Sequence, residues 1–242
     1  HYPMVMQAIN AGKTVFVEKP LCLTRDELEE IRKAQAQSAV PVFVGFNRRY
    51  APQILKIREI MSELDGPFMM TFRANVGFIP NSRWVQDPGI GGGRVLAECC
   101  HFFDLFNFLL GQSKSPEVIQ VSSADVNGSS SVAKDNVAVT LKYPDGSIAS
   151  LIYVALGHKQ MDRERLEIFG QGVSIVLDDF RKLQVYGDRP LKMELRRQDK
   201  GWGQEFAELA KFMRGEKSSI MTFEESAFAT DLTIQVNDAL GA

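Results

Sequence analysis

The sequence predicts two unlike halves: the tail of a doubly wound α/β domain with a parallel sheet, then an α+β domain built on an open, mainly antiparallel sheet with helices on one face. Two observations carry that expectation. Residues 1–46 run helix, strand, helix, strand, the rhythm of a parallel sheet covered by helices. After Gly45 the pattern changes to long strand-like segments separated by turn residues, closed by two helices.

Taken in order, Val5, Met6 and Ile9 share a helical face between Pro3 and Gly12, and Gly12 suits the left-handed residue that ends a helix. Thr14 to Val17 is a short apolar run of the buried-strand type. Thr24 is placed to cap the next helix with Glu27 as capping-box partner, and Leu28, Ile31 and Ala34 mark its buried face. Pro41 to Gly45 is a second strand. Two strands cannot cover both faces of such a sheet, so the rest of that domain is expected upstream of His1. Tyr50 to Leu64 reads as a linking helix on the spacing of Ile54, Ile57, Ile60, Met61 and Leu64. Strands are then expected over 67–76, 118–126, 133–143, 147–155, 163–169, 173–177 and 183–186. Pro144-Asp145-Gly146 is a tight turn that makes the third and fourth of these antiparallel neighbours. Gln204 to Arg214 and Phe223 to Leu240 are the closing helices.

Composition narrows the function classes. The 242 residues are 45% hydrophobic, enough for a sizeable core, and the formal net charge of -2 comes without a block of like charges. Nucleic acid and anionic membrane surfaces are therefore not expected partners. The longest apolar stretch, Phe102 to Leu110, is far shorter than the ~18 residues of a membrane span. Cys22, Cys99 and Cys100 form no C-x-x-C pair, which points away from a disulfide framework or a metal site and towards a reducing, cytoplasmic setting.

The helix expected from Gly93 to Leu110 is apolar on nearly every side, so its polar residues need a reason. At about 100° per residue Arg94, Glu98 and His101 fall within about 60° of one another, with Asp104 about 60° beyond. Such a stripe is the wall of a site or an internal network. In the first case His101 is the proton carrier, with Glu98 one turn away to orient it; in the second it is a core histidine held by Glu98. Gly91-Gly92-Gly93 before the helix either offers N–H groups to an anion or only makes a turn. Trp84 is an aromatic platform for a sugar face or a packing residue. Glu18-Lys19-Pro20 stands at the carboxyl end of the first strand, where parallel sheets place their ligands, and Asn47-Arg48 follows the second strand to the same edge.

These residues together resemble the Gfo/Idh/MocA family, which includes glucose–fructose oxidoreductase and inositol dehydrogenase. The strand ending Glu18-Lys19-Pro20, the crossover Gly45-Phe46-Asn47-Arg48-Arg49-Tyr50, the segment from Gly91 through His101 to Asp104, and Gly203-Gln204-Glu205-Phe206 with Phe223-Glu224-Glu225 carry the resemblance. It implies that residues 1–46 are the remnant of a Rossmann-like dinucleotide-binding domain and 47–242 a substrate-binding and oligomerisation domain. It also implies an NAD- or NADP-dependent dehydrogenase or reductase acting on a sugar, sugar nucleotide, cyclitol or other polyol, present here without the G-x-G-x-x-G turn that holds the pyrophosphate. By matching position, Lys19 and His101 are implied as catalytic, with Glu98 serving for the family Asp that is Ala97 here. Glu18, Lys19, Pro20, Asn47 and Arg48 are implied at the cofactor, and Lys19, Trp84, Arg94, His101 and Asp104 at the substrate. His1 corresponds to a residue that follows a nucleotide-binding strand, and the sheet is implied to pair subunits in a homo-oligomer. An NAD-dependent glycosidase and a sugar-binding module without turnover stay open as alternatives.

Overall fold

The computed structural model describes residues 1–80, 82–87, 89–111, 115–124 and 134–241. The first half begins with α1 (Tyr2–Asn10), β1 (Val15–Val17), α2 (Arg25–Ser38) and β2 (Val42–Val44). β1 and β2 pair in parallel, Val15 opposite Val42 and Val17 opposite Val44. Thr24 caps α2 by accepting the Glu27 N–H, but the Glu27 carboxylate bonds the Leu23 N–H rather than that of Thr24, so the expected capping box is displaced by one residue.

A short 3₁₀ turn (Asn47–Tyr50) leads into α3 (Pro52–Ser62), and an eight-stranded sheet follows: β3 (Met69–Asn75), β4 (Glu117–Ser123), β5 (Val137–Lys142), β6 (Ile148–Val154), β7 (Glu164–Gly170), β8 (Val173–Asp178), β9 (Lys182–Tyr186) and β10 (Leu191–Glu194). Its order is β10-β9-β8-β7-β3-β6-β5-β4, antiparallel throughout except for the central β3–β6 pair. The expected ends of β4 at Val126 and of β5 at Ala133 lie outside the described residues. β10 was not expected: its alternation is Leu191, Lys192, Met193, Glu194, and only its neighbour β9 gives it partners. Between β5 and β6, Asp145 accepts the Ser147 N–H and Gly146 takes a left-handed φ of 89°, which closes the turn.

One face of the sheet packs against α3, α4 (Cys100–Leu110) and α6 (Phe223–Ala239), with Phe72, Leu151 and Leu166 meeting Ile57, Phe102, Phe106 and Leu232. A second core joins α1, α2 and the parallel pair to Leu96, Cys100, Ala227 and Ile234. The helix that carries the polar stripe is wedged between these cores, Cys99 facing one and Cys100 the other, which is why it is apolar all round. α5 (Trp202–Met213) docks on the first half, Phe206 against Phe16 and Phe212 against Phe43. It starts at Gly201, whose φ is 90° and where a Cβ would lie 2.4 Å from the Asn47 carbonyl oxygen. No helix among the described residues is long and apolar enough to cross a membrane.

Candidate active site

Lys19 leaves the carboxyl end of β1 and reaches the segment before α4. Its Nζ donates to the Ala97 carbonyl at 2.5 Å and stands 3.6 Å from Glu98 Oε1. The following Lys19–Pro20 bond is cis, and His1 Nδ1 donates to the Pro20 carbonyl at 2.7 Å. Lys19 and Pro20 form one wall of a cleft of about 490 Å³, with Trp84, Arg83, Arg94 and Glu98 around the rest. Trp84 is 65% exposed at its edge. Glu18 turns away: its carboxylate approaches Gly45, and it helps burial raise the acid group of Glu205 to about 8.

The helix does not begin as the sequence spacing suggests. Val95–Cys99 is a π-helical turn, with i→i+5 bonds in place of i→i+4, and the α-helix proper starts at Cys100. The 100° step fails across that turn, and the expected stripe fans out to separate partners. Arg94 is buried, bonds the Tyr153 hydroxyl and lies 5.3 Å over its ring. Glu98 faces Lys19 and, at 3.9 Å, Arg163. His101 packs edge-on to Phe46, and its Nδ1 is buried without a partner among the described residues. Asp104 forms a bidentate ion pair with Arg49, whose third nitrogen bonds Glu225.

Several expectations are thereby corrected. Glu98 does not hold His101, since its polar partners are Lys19 and Arg163. Asp104 is 1% exposed and spent on Arg49, so it fastens α4 to the crossover; neither Asp104 nor His101, itself 5% exposed, is among the residues that line the cleft. Arg48 bonds Glu164 through Nε and Nη2, at 3.1 and 3.0 Å, and Lys200 completes the group at 2.6 Å. Asn47 donates to the Lys200 carbonyl and is 2% exposed. Both crossover residues are thus engaged inside the protein, not at the cleft surface. Two of the three glycine N–H groups are engaged, Gly91 and Gly92 both donating to the Asp87 carbonyl at 2.8 and 3.1 Å, so this part of the run makes a turn.

Arg48, Lys200 and Glu164 set the electrostatics behind the cleft. Burial resists the charge on Glu164, but Arg48 and Lys200 outweigh it and hold its pKa at about 2. His101 is pushed well below its ordinary value, first by burial and then by Arg48, Lys19, Lys200 and Arg163, so its imidazole is neutral at pH 7. Sequence reasoning missed Glu164, Lys200, Arg163 and Arg83. The signal for Glu164 was present: strand alternation puts it on the face of Leu166 and Ile168, and a carboxylate in that row needs cationic partners. Among the described residues no cluster of three or more His, Cys, Asp or Glu side chains is placed to hold a metal ion.

Residues 61–231 match the Gfo/Idh/MocA oxidoreductase family's C-terminal alpha/beta domain, and residues 1–46 match its NAD-binding Rossmann fold. The chain belongs to the Gfo/Idh/MocA oxidoreductase family. An uncharacterized oxidoreductase of Bacillus subtilis, YrbE, is 30% identical to this family member over 192 residues, 76% of the chain and 54% of that relative. The myo-inositol 2-dehydrogenase of Thermotoga maritima is 25% identical over 189 residues, 76% of the chain and 55% of the relative. The chain spans about half the length of the curated relatives it matches. Among solved structures, the UDP-N-acetylglucosamine 3-dehydrogenase GnnA of Acidithiobacillus ferrooxidans superposes with a TM-score of 0.78 over 99% of this chain and 75% of that one; at 20% identity the likeness is one of fold.

Proposed function

We propose that this chain is the substrate-side part of an NAD- or NADP-dependent oxidoreductase that interconverts a hydroxyl and a carbonyl on a sugar, sugar nucleotide, cyclitol or related polyol. The observation that carries the reading is Lys19: a cation at the carboxyl end of a parallel strand, on the wall of a cleft, held by a helix-turn carbonyl and a carboxylate of the facing segment. On this reading residues 1–46 are the remnant of the dinucleotide-binding domain and residues 47–242 the substrate-binding and oligomerisation domain.

The residues fit one end of a dinucleotide and not the other. Lys19 and Pro20 present a cleft wall at the strand ends, suited to the nicotinamide ribose and ring, whereas the sequence has no G-x-G-x-x-G turn for the pyrophosphate. The bound nicotinamide supplies the hydride acceptor or donor. Lys19 Nζ donates a hydrogen bond that orients the substrate oxygen. The neutral imidazole of His101 takes the hydroxyl proton in the oxidative direction and returns it in the reductive one, and Glu98 keeps Lys19 aimed at the reacting oxygen. Trp84 and Arg94 complete the cleft, the indole for a sugar face and the guanidinium for hydroxyl or acidic oxygens.

The outer face of the large sheet carries Met69 and its cross-strand neighbour Phe169, both exposed, and, further along at the level of Arg73, Ile152; we assign this face to a homo-oligomer contact. The three free cysteines suit a reducing cytoplasm.

Turnover of a sugar and cyclitol panel with NAD and NADP, by a protein carrying these residues behind a dinucleotide-binding segment, tests the reading. Lys19→Met and His101→Ala are each expected to lose at least about a hundredfold in kcat with the fold retained. Unchanged rates in both variants refute the assigned roles. Glycoside cleavage without net NADH identifies the glycosidase alternative, and sugar binding without hydride transfer identifies a binding module.

A further inference from the structure

A second cavity, about 570 Å³, opens between α2, α3, α4 and the first turns of α6, and it shares no lining residue with the Lys19 cleft. Arg32, Arg49, Arg58 and Asn107 border it together with the rings of Phe108 and Phe228. Their hydrogen-bonding states differ. Arg49 is fully engaged by Asp104 and Glu225, and stacks 4.9 Å over Phe108. Arg58 stacks 5.1 Å over the same ring yet has no ion pair among the described residues, and its Nη1 is buried without an acceptor. Burial and the neighbouring Arg49 both lower its pKa, with Glu225 opposing, as expected for a guanidinium that lacks a counter-charge.

Two more donors on the same cavity are in that condition. Asn107 is 7% exposed; its Oδ1 accepts from the Tyr143 hydroxyl at 2.8 Å, and its Nδ2 has no acceptor. Arg32 reaches Glu29 at 3.5 Å with one nitrogen, but its Nε is buried and unmatched. The acids at the rim do not answer them: Glu225 is taken by Arg49 and Thr222, and Glu224 is exposed to solvent. Leaving a buried donor unmade costs about as much as one or two ordinary hydrogen bonds contribute, so three around one cavity, all donors, call for an acceptor.

We propose that this cavity binds a small oxyanion, the carboxylate or phosphate group of a metabolite, drawn by the guanidinium of Arg58, which has no counter-charge among the described residues; Arg58 and Asn107 turn their unmatched Nη1 and Nδ2 onto it while Arg32 closes on it from α2. Phe108 and Phe228 receive the apolar part of the molecule. Because Arg32 belongs to α2 and the other donors to α3 and α4, the anion ties the nucleotide-side remnant to the helices that carry His101.

The test is a titration of the ¹⁵N-labelled 242-residue chain, followed through the arginine Nε–Hε resonances. Inorganic phosphate is the titrant in one arm and malonate in the other, with chloride holding the ionic strength constant. Saturable shifts of the Arg58 and Arg32 signals are expected in at least one arm, and which arm saturates assigns phosphate or carboxylate chemistry. Arg58→Gln and Arg32→Gln, each checked for fold by circular dichroism, should weaken the affinity by about tenfold or more, the value of one charge-assisted hydrogen bond. Linear shifts in both arms, or affinities unchanged in both variants, overturn the proposal.

Discussion

Replacing Glu164 by Gln tests whether the charge cluster behind the cleft is a structural requirement. The carboxylate is 1% exposed and holds Arg48 and Lys200 at 2.6–3.0 Å. Its pKa falls from an ordinary 4.5 to about 2 in the folded chain, and at 1.36 kcal/mol per unit this corresponds to about 3 kcal/mol of stability at pH 7. Breaking one partner of a buried ion pair costs about 3–5 kcal/mol in general, which agrees. Because the folded pKa is depressed, the unfolded chain binds the proton first. The contribution is complete above pH 4.5 and is lost as pH falls from there through about 2. Urea unfolding of wild type and Glu164→Gln should therefore differ by about 3 kcal/mol at pH 7, with the gap closing towards pH 2. The comparison cancels the acid response of other carboxylates. A gap below about 1 kcal/mol at pH 7, or one that stays constant between pH 6 and 3, refutes the reasoning.

The His101 Cε1 proton should show a neutral imidazole by NMR at pH 7 and titrate only well below the ordinary 6.5. Its folded pKa is lowered by burial and nearby cations, so the stability tied to it is whole above 6.5 and falls as pH drops below that value; a midpoint at or above 6.5 contradicts this. Gly91→Ala places a Cβ 2.6 Å from the Trp84 carbonyl oxygen and the Val85 Cα, so it should displace the Trp84 loop and cost about 1–3 kcal/mol. A shift of Trp84 fluorescence in a Trp202→Phe background reports it. Cys22, Cys99 and Cys100 are all buried, and burial raises each thiol, Cys22 and Cys100 to about 12. A thiol reagent at pH 8 should therefore label none of them in the native chain and all three after denaturation.

The fold was legible where pattern and partner are local. The helix faces of Val5–Ile9 and Leu28–Ile31, the Thr24 cap, the Gly146 turn and the alternation of β5 and β6 each follow from residues within a few positions of one another. β10 was not, because a four-residue strand with two charges takes its identity from its neighbour. The site divides along the same line. Lys19 at a strand end and Trp84 in a loop were visible, since their placement follows from the ends of elements. The polar stripe was misread because its geometry assumed an uninterrupted α-helix, and no residue between Val95 and Cys99 announces the wider turn. That turn has a physical consequence for the cleft. It directs the Ala97 carbonyl to Lys19 and parts Glu98 from His101, so the cation is gripped from the helix side while the histidine stays unbonded at Nδ1 and neutral. An unbroken α-helix would put Glu98 within reach of His101 and favour the charged imidazole. The π turn therefore separates the two groups, Lys19 held from the helix side and His101 left uncharged with an unbonded Nδ1.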